Sequence, residues 1–219
     1  MLKDGEKAAV LQRDKESYAI VPHFALGLVT PEQLRKVADV AEKYELPVMK
    51  ITSASRIAMV GFKEDQIDQA WKDLGIDPGH AVGMCVRSIK ACPGTAICSR
   101  GKQDSLGLGM ELDKKFHGFQ LPNKFKMGVS GCINNCAETP IKDLGFVGKK
   151  KGWTVLVGGN AAARPQLAQE LIKDLSDEEA LVMADKVMNF FKENGKKSER
   201  LGRTIDRVGF DVFKEAVLS

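Results

Sequence analysis

Aromatic residues are scarce in this 219-residue chain, at 6% with two Trp and two Tyr. That is too few for a platform on which nucleic-acid bases could stack. Charge of one sign is scarce as well: a net charge of +4 falls short of the dense basic face of a nucleic-acid binder and suits small anions or acidic proteins better. No apolar run approaches the roughly 18 residues that a membrane span requires. The N-terminal "MLKDGEKAAVLQRDKE" lacks the apolar core of a signal peptide, so a cytoplasmic location is expected. Histidine is limited to His23, His80 and His117, which match no metal-ligand spacing. No glycine-rich fingerprint for a flavin or a nicotinamide is visible, so a redox enzyme of this sequence needs a separate electron donor.

What remains is an ordinary folded composition, 43% hydrophobic and 28% charged, enough for a real core. "YAIVPHFAL" (18–26) reads as a strand. "TPEQLRKVADVAEKYE" reads as a helix, with Thr30 as its cap, Pro31 in its first position and Gln33 completing a capping box. Leu34, Val37, Ala38, Ala41 and Tyr44 form its apolar face. Residues 46–62 read as two strands or one bent strand, and 64–76 as a second helix. That order predicts a small α+β unit over 1–78.

The second unit, 79–219, is predicted to hold a helical stretch over 99–118 and a strand over 123–131. A hairpin over 144–159 turns at Gly148 to Gly152. Helices near 164–174 and 177–194 follow, then an extended end over 203–210. The first ten or so residues are expected to be disordered.

Five cysteines in a reducing compartment do not suggest a disulfide framework, and the odd count weakens it further. Four form two turn-bounded pairs, "ACPGTAIC" (91–98) and "GCINNC" (131–136). Structural zinc favours shorter knuckles than the five residues between Cys92 and Cys98. Buried, inert thiols are the plain reading of a single cysteine, as for Cys85. A four-iron cubane takes four thiolates and tolerates loops of varied length, provided they can wrap its corners, as Pro93-Gly94 and Gly131 allow.

The double cysteine pattern followed by "LGFVGKKKGWTVLVGGN" resembles the siroheme-dependent sulfite and nitrite reductases. "LPNKFK" (121–126), "MKITSASRIAMVGF" and "VRSIKAC" resemble further segments of that family. The resemblance implies an α+β fold in which a ferredoxin-like half packs on a siroheme- and [4Fe-4S]-binding α/β half. It also implies that Cys92, Cys98, Cys132 and Cys136 hold a [4Fe-4S] cluster, with Cys136 shared with siroheme iron.

The activity implied is six-electron reduction of sulfite to sulfide, with nitrite as the alternative substrate. A cluster-only electron carrier and a non-catalytic siroheme subunit are the readings from other classes. By resemblance, Lys124, Lys126, Arg87 and Arg56 form the catalytic anion clamp. The family's usual arginine falls at Ala54, which makes Arg56 a shifted substitute. On a strand, Lys124 and Lys126 share one face while Phe125 turns away.

Gly158, Gly159, Asn160 and Arg164 are candidates to meet a siroheme carboxylate, and Asn134 to fix its loop by side-chain-to-backbone bonds. The Lys149-Lys150-Lys151 turn is a solvated hairpin tip first and a docking spot for an acidic donor such as a ferredoxin second. One chain carries both clamp and cysteines, so either it curls around the cofactor or two chains share their sites in a homodimer.

Overall fold

The computed structural model describes residues 1–219 and divides into two compact units, Met1–Gly83 and Met84–Ser219. No helix is long and apolar enough to cross a membrane.

In the first unit, β1 (Ala9–Leu11) and β2 (Tyr18–Ile20) pair antiparallel, and α1 (Pro31–Lys43), β3 (Val48–Ile51), β4 (Ile57–Phe62) and α2 (Ile67–Leu74) follow. The antiparallel sheet runs β1-β2-β4-β3. Its core gathers Tyr18, Ile20, Met59 and Phe62 against Val37, Val40, Ile67 and Leu74 of the helices. Helix α1 starts where its local signals place it. The Gln33 amide donates to Thr30 Oγ1 at 3.1 Å and the Thr30 amide to Gln33 Oε1 at 2.9 Å, so two orphan donors of the first turn satisfy each other.

Its buried stripe is Val37, Val40 and Ala41 with Tyr44 packed beside them, so the expected face meets the core except at Leu34, which is 44% exposed. The N-terminal residues are ordered, contrary to expectation. The Leu2 amide donates to the Tyr18 hydroxyl at 3.0 Å, and β1 supplies the sheet's edge.

The second unit is built on a five-stranded sheet in the order β5 (Lys90–Ala91), β6 (Met127–Ser130), β7 (Leu144–Lys149), β8 (Gly152–Val157) and β9 (Gln169–Leu175). The first three strands are parallel and the last three antiparallel. Helix α3 (Ser105–Phe116) lies between β5 and β6, and α4 (Asp177–Asn194), α5 (Leu201–Val208) and α6 (Phe210–Leu218) close the chain.

Three expectations are corrected. Helix α3 begins only at Ser105, where Asp104 Oδ1 accepts the Gly107 amide at 3.0 Å and caps it. The segment expected as a helix over 164–174 is β9, which pairs antiparallel with the edge of β8 and buries Leu171 and Leu175. The extended end is instead α5 and α6: Leu201, Thr204 and Ile205 recur at helical spacing and are buried. Gly209, at φ 92°, breaks the chain between the two helices.

Candidate cluster and anion site

Strands β5 and β6 carry the same short pattern. Arg87 stands before β5 and Cys92 after it; Lys126 stands before β6 and Cys132 after it. The strands run parallel with Lys90 beside Gly128 and Ala91 beside Val129. The register continues beyond both ends, since the Arg87 amide donates to the Phe125 carbonyl at 2.9 Å and the Cys92 amide to the Val129 carbonyl at 3.0 Å. Cations therefore collect at one end of the strand pair and thiols at the other, separated by a strand of four residues spanning roughly 13 Å.

At the thiol end, glycine lets the two cysteine loops touch. A Cβ on Gly131 would stand 2.7 Å from the Gly94 Cα, and Gly94 itself holds φ 54°. The Gly131 amide donates to Cys92 Sγ at 3.1 Å. The Cys98 amide closes its own loop on the Gly94 carbonyl at 2.9 Å. Cys92 is buried, Cys132 half-buried, and Cys98 and Cys136 exposed, with no disulfide among them.

No three His, Cys, Asp or Glu side chains converge on a point where one metal ion would sit. A cubane does not require that convergence, because each thiolate binds a different corner iron. Four unoxidised thiols on loops joined by a backbone N–H to sulfur bond fit that group as a donor set. Asn134 is exposed on this loop, and the expected side-chain-to-backbone bond is made by its neighbour. Asn135 Nδ2 donates to the Ile133 carbonyl at 3.2 Å, and Asn135 Oδ1 accepts from the Thr139 hydroxyl. Cys85 is buried in the core.

At the cation end, Phe125 is fully buried against Phe191, with ring centres 5.6 Å apart. Extended backbone alternates, so Lys124 and Lys126 project together on the other side. Lys126 reaches the surface and Lys124 is half-buried. Partial burial, and then the charges of Arg200, Lys142 and Lys124, push the Lys126 ammonium below the ordinary lysine range. Burial does the same to Arg87, and Arg200 adds to it.

Beneath these cations lies an ion pair that sequence reasoning missed. Arg200, just before α5, donates through Nε to Asp143 Oδ1 at 2.8 Å and through Nη2 to Asp143 Oδ2. The Lys126 amide donates to the same Oδ2 at 2.7 Å, and Arg200 Nη1 reaches Asn160 Oδ1 at 3.2 Å. Burial pushes the Asp143 carboxyl up while Arg200 and the Lys126 amide pull it back. Lys142 and Lys90 share Glu138, at 3.0 and 2.9 Å.

The remaining candidates are placed differently. Gly158 and Gly159 admit the chain's own backbone rather than an open cradle. A Cβ on Gly159 would stand 2.5 Å from the Pro140 carbonyl oxygen, and one on Gly158 3.2 Å from the Gly202 Cα. Arg164 lies on an exposed loop, where its carbonyl accepts from Asn160 Nδ2 at 3.3 Å. Arg56 belongs to the first unit; it is buried, and its Nη1 donates to the His80 carbonyl at 3.0 Å.

Comparison with known proteins agrees with this anatomy. Residues 82–219 match the nitrite and sulphite reductase 4Fe-4S domain, and residues 10–75 the nitrite/sulfite reductase ferredoxin-like half domain. An assimilatory-type sulfite reductase of Nitratidesulfovibrio vulgaris is 43% identical over 217 residues, 99% of this chain and 100% of that one. An NAD(P)H nitrite reductase of Bacillus subtilis is 40% identical over 92% of this chain, which spans only 25% of that longer protein. Among solved structures, the Mycobacterium tuberculosis NirA protein superposes with a TM-score of 0.82 at 19% identity, over 99% of this chain and 43% of that one. Dissimilatory sulfite reductase I superposes equally well, at 17% identity over 93% of this chain and 69% of that one. With both domain types present and one relative matched from end to end, the chain belongs to the nitrite and sulfite reductase family.

Proposed function

We propose that the chain is a siroheme-dependent sulfite reductase in which Cys92, Cys98, Cys132 and Cys136 hold a [4Fe-4S] cluster and Cys136 is shared with siroheme. The observation that carries this reading is the paired arrangement of β5 and β6, cation before and thiol after each strand in one parallel register. Sulfite is preferred to nitrite because the relative matched over its whole length is named a sulfite reductase, whereas the named nitrite reductase is about four times longer than this chain.

When bound, the coupled pair of groups supplies one-electron transfers to a sulfur or nitrogen oxyanion. The chain's own residues supply charge and protons. Lys124, Lys126 and Arg87 present fixed cations to an oxyanion, and charge-assisted donors of this kind are strongest where water is partly excluded. Arg87 stays charged and orients the anion. The lowered pKa of Lys126 makes its ammonium a readier proton donor than an ordinary lysine, and its exposure lets solvent reprotonate Nζ. Asp143, clamped by Arg200, fixes the Lys126 main chain. Arg164, on its exposed loop, is available to a siroheme carboxylate.

The test is the absorption spectrum of the purified protein, followed by sulfite- and nitrite-dependent oxidation of reduced methyl viologen. Siroheme bands with faster turnover of sulfite are expected. Iron–sulfur absorption alone would make the chain an electron carrier, and siroheme bands without turnover a non-catalytic subunit.

A further inference from the structure

Of the four cysteines read as cluster ligands, only Cys92 meets protein donors at its sulfur. The Gly131 amide donates to Cys92 Sγ at 3.1 Å. Ser105 Oγ lies 3.4 Å from the same sulfur and donates to the Cys92 carbonyl at 2.7 Å. Ser105 is fully buried, whereas Cys98 and Cys136 are exposed. Helix α3 does not need this hydroxyl to start, because Asp104 already caps it through the Gly107 amide.

Both cysteine loops are shaped around the hydroxyl. A Cβ on Gly94 would collide with Ser105 Oγ, and one on Gly131 would stand 3.2 Å from it. Between a thiol and a hydroxyl either atom can donate. A sulfur bonded to iron is a thiolate without a hydrogen, so there the hydroxyl is the donor. Its one hydrogen serves two acceptors of the same residue, and the charged sulfur is the stronger of the two.

Reduction of an iron–sulfur cluster adds one electron and no atoms, and the ligand sulfurs share the added charge. A donor aimed at one of those sulfurs favours the reduced state and raises the potential. Burial strengthens the effect, since the low local dielectric leaves the charge to the hydrogen bond.

We propose that Ser105 is a positioning residue that acts through Cys92 to raise the reduction potential of the cluster, the electron coming from a one-electron donor. The proposal rests on the reading of Cys92 as a cluster ligand. It makes the hydroxyl at the start of α3 a determinant of how strong a reductant the site requires.

The experiment is a dye-mediated redox titration of the holoenzyme, with the reduced cluster read by electron paramagnetic resonance and iron content measured on each sample. Ser105→Ala and Ser105→Thr are compared with wild type and with Ser130→Ala. Ser130 is equally buried, and its hydroxyl accepts the Ala137 amide at 3.0 Å beside the second cysteine loop but bonds no sulfur. At a fixed potential the oxidised-to-reduced ratio of Ser105→Ala rises about tenfold over wild type, a midpoint lower by about 59 mV. Ser130→Ala keeps the wild-type midpoint, and so does Ser105→Thr, which retains a hydroxyl. An unmoved midpoint in Ser105→Ala overturns the proposal, as does a Ser105→Thr midpoint equally low. An equal drop in Ser130→Ala also overturns it, because loosened loops would then account for the shift. Less iron in Ser105→Ala than in Ser130→Ala assigns the hydroxyl to holding the loop and overturns it too. A wild type without a reducible iron–sulfur centre overturns the cluster reading together with the proposal, whereas a reducible centre indifferent to Ser105 overturns the proposal alone.

Discussion

Asp143→Asn isolates the ion pair beneath the cations. Asp143 is fully buried and Arg200 is 8% exposed. The carboxylate accepts three donors, Arg200 Nε and the Lys126 amide at 2.8 and 2.7 Å, and Arg200 Nη2. Asparagine keeps the shape but has one oxygen and one NH2. If its oxygen faces Arg200 Nε, the NH2 confronts both the Lys126 amide and Nη2. If it is flipped, the NH2 confronts Nε. Every orientation leaves a donor against a donor and a buried guanidinium without its counter-charge, beside Lys126 and Arg87.

Removing one partner of a buried pair costs about 3–5 kcal/mol. In a chain of this size each kcal/mol is worth about 2–4 °C, so the melting temperature should fall by roughly 10 °C. Thermal melts at neutral pH provide the assay, with Asp143→Leu/Arg200→Met as the second arm. Replacing both partners by apolar groups should recover most of the loss, because the penalty lies in the stranded charge. An Asp143→Asn protein melting within about 2 °C of wild type, or a double variant no better than the single, would refute this account.

Lys126→Met should lower sulfite turnover by about 2–4 kcal/mol in the barrier with siroheme content retained, and should raise the melting temperature. The folded pKa of Lys126 lies below its unfolded value, so its charged form costs stability at neutral pH; a lower melting temperature would contradict that sign. Gly159→Ala should be strongly destabilising in urea titrations, because its Cβ would stand 2.5 to 2.8 Å from backbone atoms of Pro140 and Lys142 that cannot move independently. Glu199 is held near a pKa of about 2, first by the two-pronged contact from Arg207. Its stabilisation is fully present above the unfolded value near 4.5 and is lost as pH falls through about 2. Protection of the α5 amides, taken relative to their intrinsic exchange rates, should therefore fall over that window, and Arg207→Ala should abolish that loss.

Features set by local chemistry were legible in the sequence. The capping box of α1 and the β7–β8 hairpin with its Lys150-Lys151 tip form where neighbouring residues dictate them. Features decided by distant partners were not. Strand β9 exists because β8 offers it an edge, and nothing within 164–175 announces that edge. Helix α5 begins at Leu201 directly after a run of charged residues that reads as loop. The site shows the same limit. Lys124 and Lys126 stood out through "KFK", whose middle residue is apolar and buried. Asp143 and Arg200 are 57 residues apart and ordinary in their own surroundings, so only the folded chain identifies them as a pair.

The parallel register shared by β5 and β6 acts as a ruler with strict tolerances. Each residue added to or removed from either strand moves its end by about 3.3 Å and turns the following side chains to the opposite face. A single such change would break alignment with the neighbouring strand at one end or the other. The loops beyond the strands carry no such restriction, since five residues separate Cys92 from Cys98 and three separate Cys132 from Cys136. Insertions and deletions should therefore survive at 95–97 and 133–135, beyond the Gly94 contact with Gly131, and be rejected at 88–91 and 127–130. A library of single-residue insertions scored for bound iron would reveal that contrast as two silent windows beside two permissive ones.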